Sequence, residues 1–178
     1  MSAGAVSARV DRVMASLSEF IRMVGEVESA LAAGGDVSDF GAGTPHELAA
    51  RPYVEALQHA AEPRTPDWFG YKGAHRPAQE AAAAGLSTEL GITFHADDIL
   101  LTRGAHGALA AALGAVLDAG DEVIYVSPPW FFYEAMILWS GATPIKTRLT
   151  PPAFDLELDA IAAAITPRTR MLLLNTPH

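Results

Sequence analysis

The chain has 178 residues, half of them hydrophobic and 19% charged, which places it among globular proteins rather than disordered ones. Its formal net charge of −9 argues against nucleic acid as the main partner, because phosphate backbones need a basic face. The absence of cysteine excludes disulfides, zinc–thiolate sites and thiol nucleophiles and fits a cytoplasmic protein. Apolar residues from Val10 to Val27 recur at three- and four-residue spacings, predicting a helix over 8–33 that Gly34-Gly35 closes. Phe40-Gly41-Ala42-Gly43-Thr44-Pro45 reads as a loop, 49–60 as a short helix, 63–77 as a Pro- and aromatic-rich connection, and 78–90 as an Ala-rich helix.

From residue 98 onward strands and helices alternate. Strands are expected at 98–102, 122–126, 143–148 and 171–174, with helices at 105–117, 131–139 and 156–165 between them. This order predicts an α/β fold, three-layer αβα, with a mostly parallel sheet covered on both faces. The N-terminal residues lack a charged region followed by an apolar one, so no signal peptide is expected there, and the longest apolar runs are too short to span a bilayer. Two domain regions are expected: 1–48 as an N-terminal helix and arm, and 49–178 as the first part of a larger domain.

Ligands of such sheets bind at the carboxyl ends of the strands, where the loops 103–107, 127–130 and 175–178 fall. Arg103-Gly104-Ala105-His106-Gly107 joins a strand to a helix, and its small residues suit either an ordinary tight turn or a phosphate at the helix N-terminus. It is neither a dinucleotide fingerprint nor a P-loop. Ser127-Pro128-Pro129-Trp130-Phe131-Phe132-Tyr133 sets four aromatics after a strand, where Trp130 either caps the sheet or stacks on a flat ring. His46, His59, His75 and His95 show no metal-ligand spacing, and no metal site is expected.

Taken together, these loops resemble the class I/II aminotransferases among the fold-type I pyridoxal-phosphate enzymes. The resemblance runs from about Asp39 to His178. Arg103-Gly104-Ala105-His106 stands at the family's phosphate loop, Ala119-Gly120-Asp121-Glu122-Val123 at its Pro-Gly-Asp-Glu-Val, and Pro128-Pro129-Trp130 at its Pro-Tyr-Trp-like motif. Ala164-Ile165-Thr166-Pro167-Arg168-Thr169-Arg170 is similar to Ala-Ile-Thr-Pro-Lys-Thr-Lys. Leu174-Asn175-Thr176-Pro177-His178 matches the first five positions of Leu-Asn-x-Pro-x-Asn-Pro-Thr-Gly.

The resemblance implies the cofactor pyridoxal 5'-phosphate. Gly104, Ala105 and His106 would hold its phosphate and Trp130 would stack on its ring. Tyr71 would reach the phosphate of the other subunit of a homodimer, and Gly43 would lie near the substrate carboxylate. Where the family has Gly-x-Pro shortly after that tyrosine, this chain has Arg76-Pro77. The only lysines, Lys72 and Lys146, stand outside the context of a Schiff-base lysine, so none is expected in this chain and the chain alone is expected to be inactive. The implied activity is transfer of an amino group between an amino acid and a 2-oxo acid, the chain being an N-terminal portion of such an enzyme. Alternatives are another fold-type I activity (β-lyase, decarboxylase or acyl transferase) or a non-catalytic fragment binding a phosphate ligand or a partner.

Overall fold

The computed structural model describes residues 6–38, 40, 43, 45 and 47–176. The chain forms two compact units, residues 40–102 and residues 1–39 with 103–178. The expected boundary between residues 48 and 49 falls inside the first of these.

The helix expected over 8–33 is two helices, α1 (Ala8–Ser16) and α2 (Ser18–Ala32). The break has a side-chain cause. The Ser16 hydroxyl donates to the Val13 carbonyl at 2.7 Å, competing for the oxygen that the Leu17 amide would use, and Leu17 N–H turns to Met14 O at 3.3 Å. Gly34 closes α2 in the left-handed region, with φ of 75°.

In the unit of residues 40–102, α3 spans Arg51–Ala61 and α4 spans Arg76–Leu90. The His75 ring caps α4 by accepting from Ala78 N–H at 3.3 Å, and Gly91 ends it at a φ of 67°. A single 3₁₀ turn, Ala96–Asp98, follows. The strand expected at 98–102 does not form. A strand exists only through a neighbour's hydrogen bonds, and among the described residues none of the strands pairs with this segment. Its Ile99 carbonyl instead accepts from Gln79 Nε2 of α4 at 2.7 Å.

The other unit contains the sheet. After α5 (Gly104–Val116) come β1 (Glu122–Ser127), α6 (Phe132–Ser140), β2 (Thr143–Arg148), α7 (Leu158–Ala164) and β3 (Thr169–Leu173). The strands are parallel in the order β2-β1-β3, with Tyr125 opposite both Lys146 and Leu173. Alternate residues of β1 face opposite layers. Val123 and Tyr125 pack with Leu113 and Leu117 near the end of α5 and with Met136 and Ile137 of α6. Val126 packs with Leu149 and with Ile161 of α7. The step from β1 to β2 therefore runs over one face, and the return step to β3 runs over the other. Reversing both direction and face preserves the crossover hand, as parallel sheets require.

Two polar clusters brace β1. The buried Glu122 carboxylate accepts from Thr166 Oγ1 at 2.5 Å and pairs with the Arg168 guanidinium, tying the start of β1 to the start of β3. The Thr166 hydroxyl, with Arg168 assisting, holds this carboxyl below its usual range. On the α6 side, buried Tyr125 donates to Glu134 Oε2 at 2.5 Å, and Lys146 Nζ lies 3.2 Å from the same oxygen. Burial, together with that bond, pushes the Tyr125 phenol well above its usual range.

A depressed carboxyl pKa stabilises the fold fully above the ordinary glutamate value of about 4.3 and loses that contribution as pH falls through the folded value. Thermal melts in acid steps should show this loss in the wild-type chain. Glu122→Gln should melt lower at neutral pH and show a flatter dependence below about pH 4.3. Parallel acid limbs for the two proteins would contradict this role for Glu122.

Candidate functional site

The carboxyl end of β1 is where the chain leaves the sheet. Pro128 and Pro129 carry no N–H and end the ladder there. The next four residues are aromatic, and α6 begins within them. Trp130 is half-buried and meets neighbouring rings nearly at right angles: Phe132 at 5.1 Å and 70°, Tyr133 at 5.3 Å and 73°, and His106 at 6.1 Å and 82°. Such angled packing favours contact between the ring edge of one partner and the face of the other.

A cavity of about 700 Å³ opens at this end of the sheet. Ala105 and Leu109 of α5 form one wall, Trp130 and Tyr133 another, and Phe154 and Asn175 contribute from the segments after β2 and β3. Tyr133 Oη donates to Asn175 Oδ1 at 2.8 Å, so two lining side chains are bonded to each other. The cavity combines an aromatic wall with the small-residue start of a helix. Helix starts carry amide N–H groups and the positive end of the dipole, which suit an anion. The N-cap, Arg103, gives this one no side-chain hydrogen bond. The arrangement has the dimensions and chemistry for a flat ring bearing a phosphate.

Of the residues singled out in the sequence, the structure brings Ala105 and Trp130 to this cavity. Gly104 opens α5 at a φ of 74°, a conformation that side chains resist. His106 is turned elsewhere: its ring lines a second cavity of about 650 Å³, together with Arg9 of α1 and Trp139 of α6. Tyr71 and Gly43 belong to the other unit, where Tyr71 is fully exposed and Gly43 is exposed, with no atom of the described residues beyond its chain neighbours within 4 Å of a Cβ built on it. Gly41, Ala42 and Thr44, together with Pro177 and His178, lie outside the described residues. Lys72 sits over the Trp68 ring at 5.5 Å, and Lys146 is paired with Glu134; neither lines the cavity. Among the described residues no group of three or more His, Cys, Asp and Glu side chains is placed to hold a metal ion.

Among the lining residues to which the sequence reading gave no role are Tyr133, Asn175 and Phe154. Tyr133 lies three positions beyond Trp130, and Asn175 directly follows the strand expected at 171–174 in a carboxyl-end loop, so both carried a positional signal. Phe154 carried none. It holds a φ of 56°, rare for an aromatic, with its N–H on Thr150 O at 3.1 Å beside a bridge between Thr150 and Asp155.

A parallel sheet with helices on both faces and a cavity at its strand ends defines an α/β protein of the class that binds ligands at the carboxyl ends of its strands. The particular family follows from comparison with known proteins. The profile of aminotransferase class I and II matches residues 35–178, and the chain belongs to this family. A probable N-succinyldiaminopimelate aminotransferase of Mycobacterium tuberculosis is 31% identical over 153 residues, covering 84% of this chain and 38% of that protein. A probable aspartate aminotransferase of Streptomyces griseus is 30% identical over 174 residues, 97% of this chain and 80% of that one. Among solved structures, the aspartate aminotransferase of Rhizobium meliloti superposes with a TM-score of 0.80 at 27% identity, over 97% of this chain and 42% of that one. The chain thus spans well under half the length of the Mycobacterium tuberculosis relative.

The glycine at the start of α5 makes a direct test of this wall. Among the described residues, nothing beyond the chain neighbours and the helix's own backbone lies within 4 Å of a Cβ built on either Gly104 or Gly114, so backbone conformation separates them. Gly104→Ala should cost about 1–2 kcal/mol through its left-handed φ. Gly114→Ala, in the body of the same helix, should gain about 0.5–1 kcal/mol. Denaturant melts of the two variants check the opposite signs.

Proposed function

We propose that this chain is the cofactor-cradling portion of a pyridoxal-phosphate-dependent aminotransferase that moves an amino group between an amino acid and a 2-oxo acid. The observation that carries the reading is the cavity between Ala105, at the start of α5, and Trp130. Membership of the class I and II aminotransferases supports the cofactor, since members of this family use pyridoxal 5'-phosphate. Bound there, the cofactor would supply an electron sink for the electrons left when the substrate loses its α-proton.

The chain's own residues would bind and orient. The backbone at Gly104, Ala105 and His106 would receive the phosphate, with the positive end of α5 behind it. The His106 side chain faces the second cavity and braces Trp130, so its part in phosphate binding would come from its backbone. Trp130 would stack on the ring and shield one side from water. Tyr71, fully exposed in its own unit, would reach across a homodimer to the partner's phosphate. Gly43 would lie near the substrate carboxylate. In this reading residues 1–48 are part of a small domain and 49–178 open the large one. The lysine that would hold the cofactor covalently is neither Lys72 nor Lys146, so the chain alone is inactive. No helix among the described residues is long and apolar enough to cross a membrane; the reading places the protein in the cytoplasm as a homodimer.

Equilibrium dialysis of the 178-residue chain against pyridoxal phosphate tests the reading. Binding should be saturable and competed by inorganic phosphate. Trp130→Ala should weaken it roughly 2- to 10-fold, the loss of one aromatic contact. Failure to bind, or equal binding by Trp130→Ala, would overturn the assignment.

A further inference from the structure

Beyond Trp130 itself, something has to hold the aromatic wall in place. The ladder between β1 and β3 ends at Tyr125 opposite Leu173. Two of the segments that line the cavity, the stretch 128–133 and the loop at Asn175, lie past that last pair. Past this point, the Tyr133 Oη to Asn175 Oδ1 hydrogen bond, at 2.8 Å and 42 positions apart in sequence, joins these two segments. The same Tyr133 ring meets Trp130 at 5.3 Å and 73°. Both residues are partly buried and both line the cavity.

We infer that Tyr133 and Asn175 are a positioning pair, a latch that fixes the plane of Trp130 and thereby selects a flat heteroaromatic ring in this cavity. The inference rests on the cofactor reading above. The latch works by lowering the freedom that the aromatic segment would otherwise lose on binding, so its energy appears as affinity for the ring. The phosphate end does not depend on it, because that end is built by the backbone of α5. Neither residue needs to touch the reacting atoms.

Tyr133→Phe keeps the ring beside Trp130 and removes only the hydroxyl. It should weaken binding of pyridoxal phosphate roughly 2- to 10-fold. Affinity for inorganic phosphate should stay within the error of the wild type. Circular dichroism induced in the absorption band of the bound pyridine should shrink, because that signal reads a fixed ring orientation and a merely structural role would leave it unchanged. Asn175→Ala should act in the same direction, and the double variant should lose less than the product of the two single losses.

Unchanged ring affinity and unchanged induced dichroism in Tyr133→Phe, with a wild-type chain that binds, would overturn the latch and leave the cofactor reading intact. Equal losses for phosphate and for pyridoxal phosphate would also overturn it, since the effect would then belong to the fold. A wild-type chain that binds inorganic phosphate but not pyridoxal phosphate would overturn the cofactor reading, and the latch with it.

Discussion

Val123, Ile124, Tyr125 and Val126 are each no more than 3% exposed, and the unit that contains the candidate site is arranged around that buried run. A strand covered on both faces needs hydrogen-bonding neighbours on both edges and apolar layers above and below. β2 and β3 supply the edges, α5 and α6 one layer, and α7 the other. The strand's amino end is anchored by Glu122 through Thr166 and Arg168, so its position is set by charge as well as by packing. With one end anchored and the middle buried, the point at which β1 delivers Pro128 and Trp130 is set within the unit.

The site follows from that delivery. Parallel strands discharge their loops at one end, and here the loops after β1, β2 and β3 converge with the start of α5. The resulting lining is mostly apolar, and its Tyr133 hydroxyl and Asn175 amide are bonded to each other. In the proposed reading, a phosphate held by backbone at the start of α5 would leave the His106 imidazole to face a different cavity, as it does. A backbone cradle tolerates whatever side chain its residues carry, provided Gly104 supplies the left-handed turn.

Much of this unit was legible in the sequence because its signals are local. The strand expected at 143–148 has those bounds, and Gly141, next to the helix expected at 131–139, closes α6 in a left-handed cap. The misses are of two physical kinds. The strand expected at 98–102 failed because apolar content says nothing about whether a neighbour is present to pair with. The single helix expected over 8–33 failed because a serine hydroxyl competes for a carbonyl, a contest that periodicity does not register. In the cavity, Trp130 was visible as an aromatic after a strand, whereas the Tyr133–Asn175 bond joins positions that only the fold brings together. The left-handed φ of Phe154 has no counterpart in residue type.

The central claim is that one cavity, between the start of α5 and Trp130, receives a phosphorylated aromatic ring. A crystal structure of the 178-residue chain grown with pyridoxal phosphate tests it most directly. The account predicts density for the phosphate against the backbone of Ala105 and His106, with the ring lying against the Trp130 indole. Density for the ligand in the second cavity, beside Arg9 and Trp139, with the Trp130 wall empty, would contradict it.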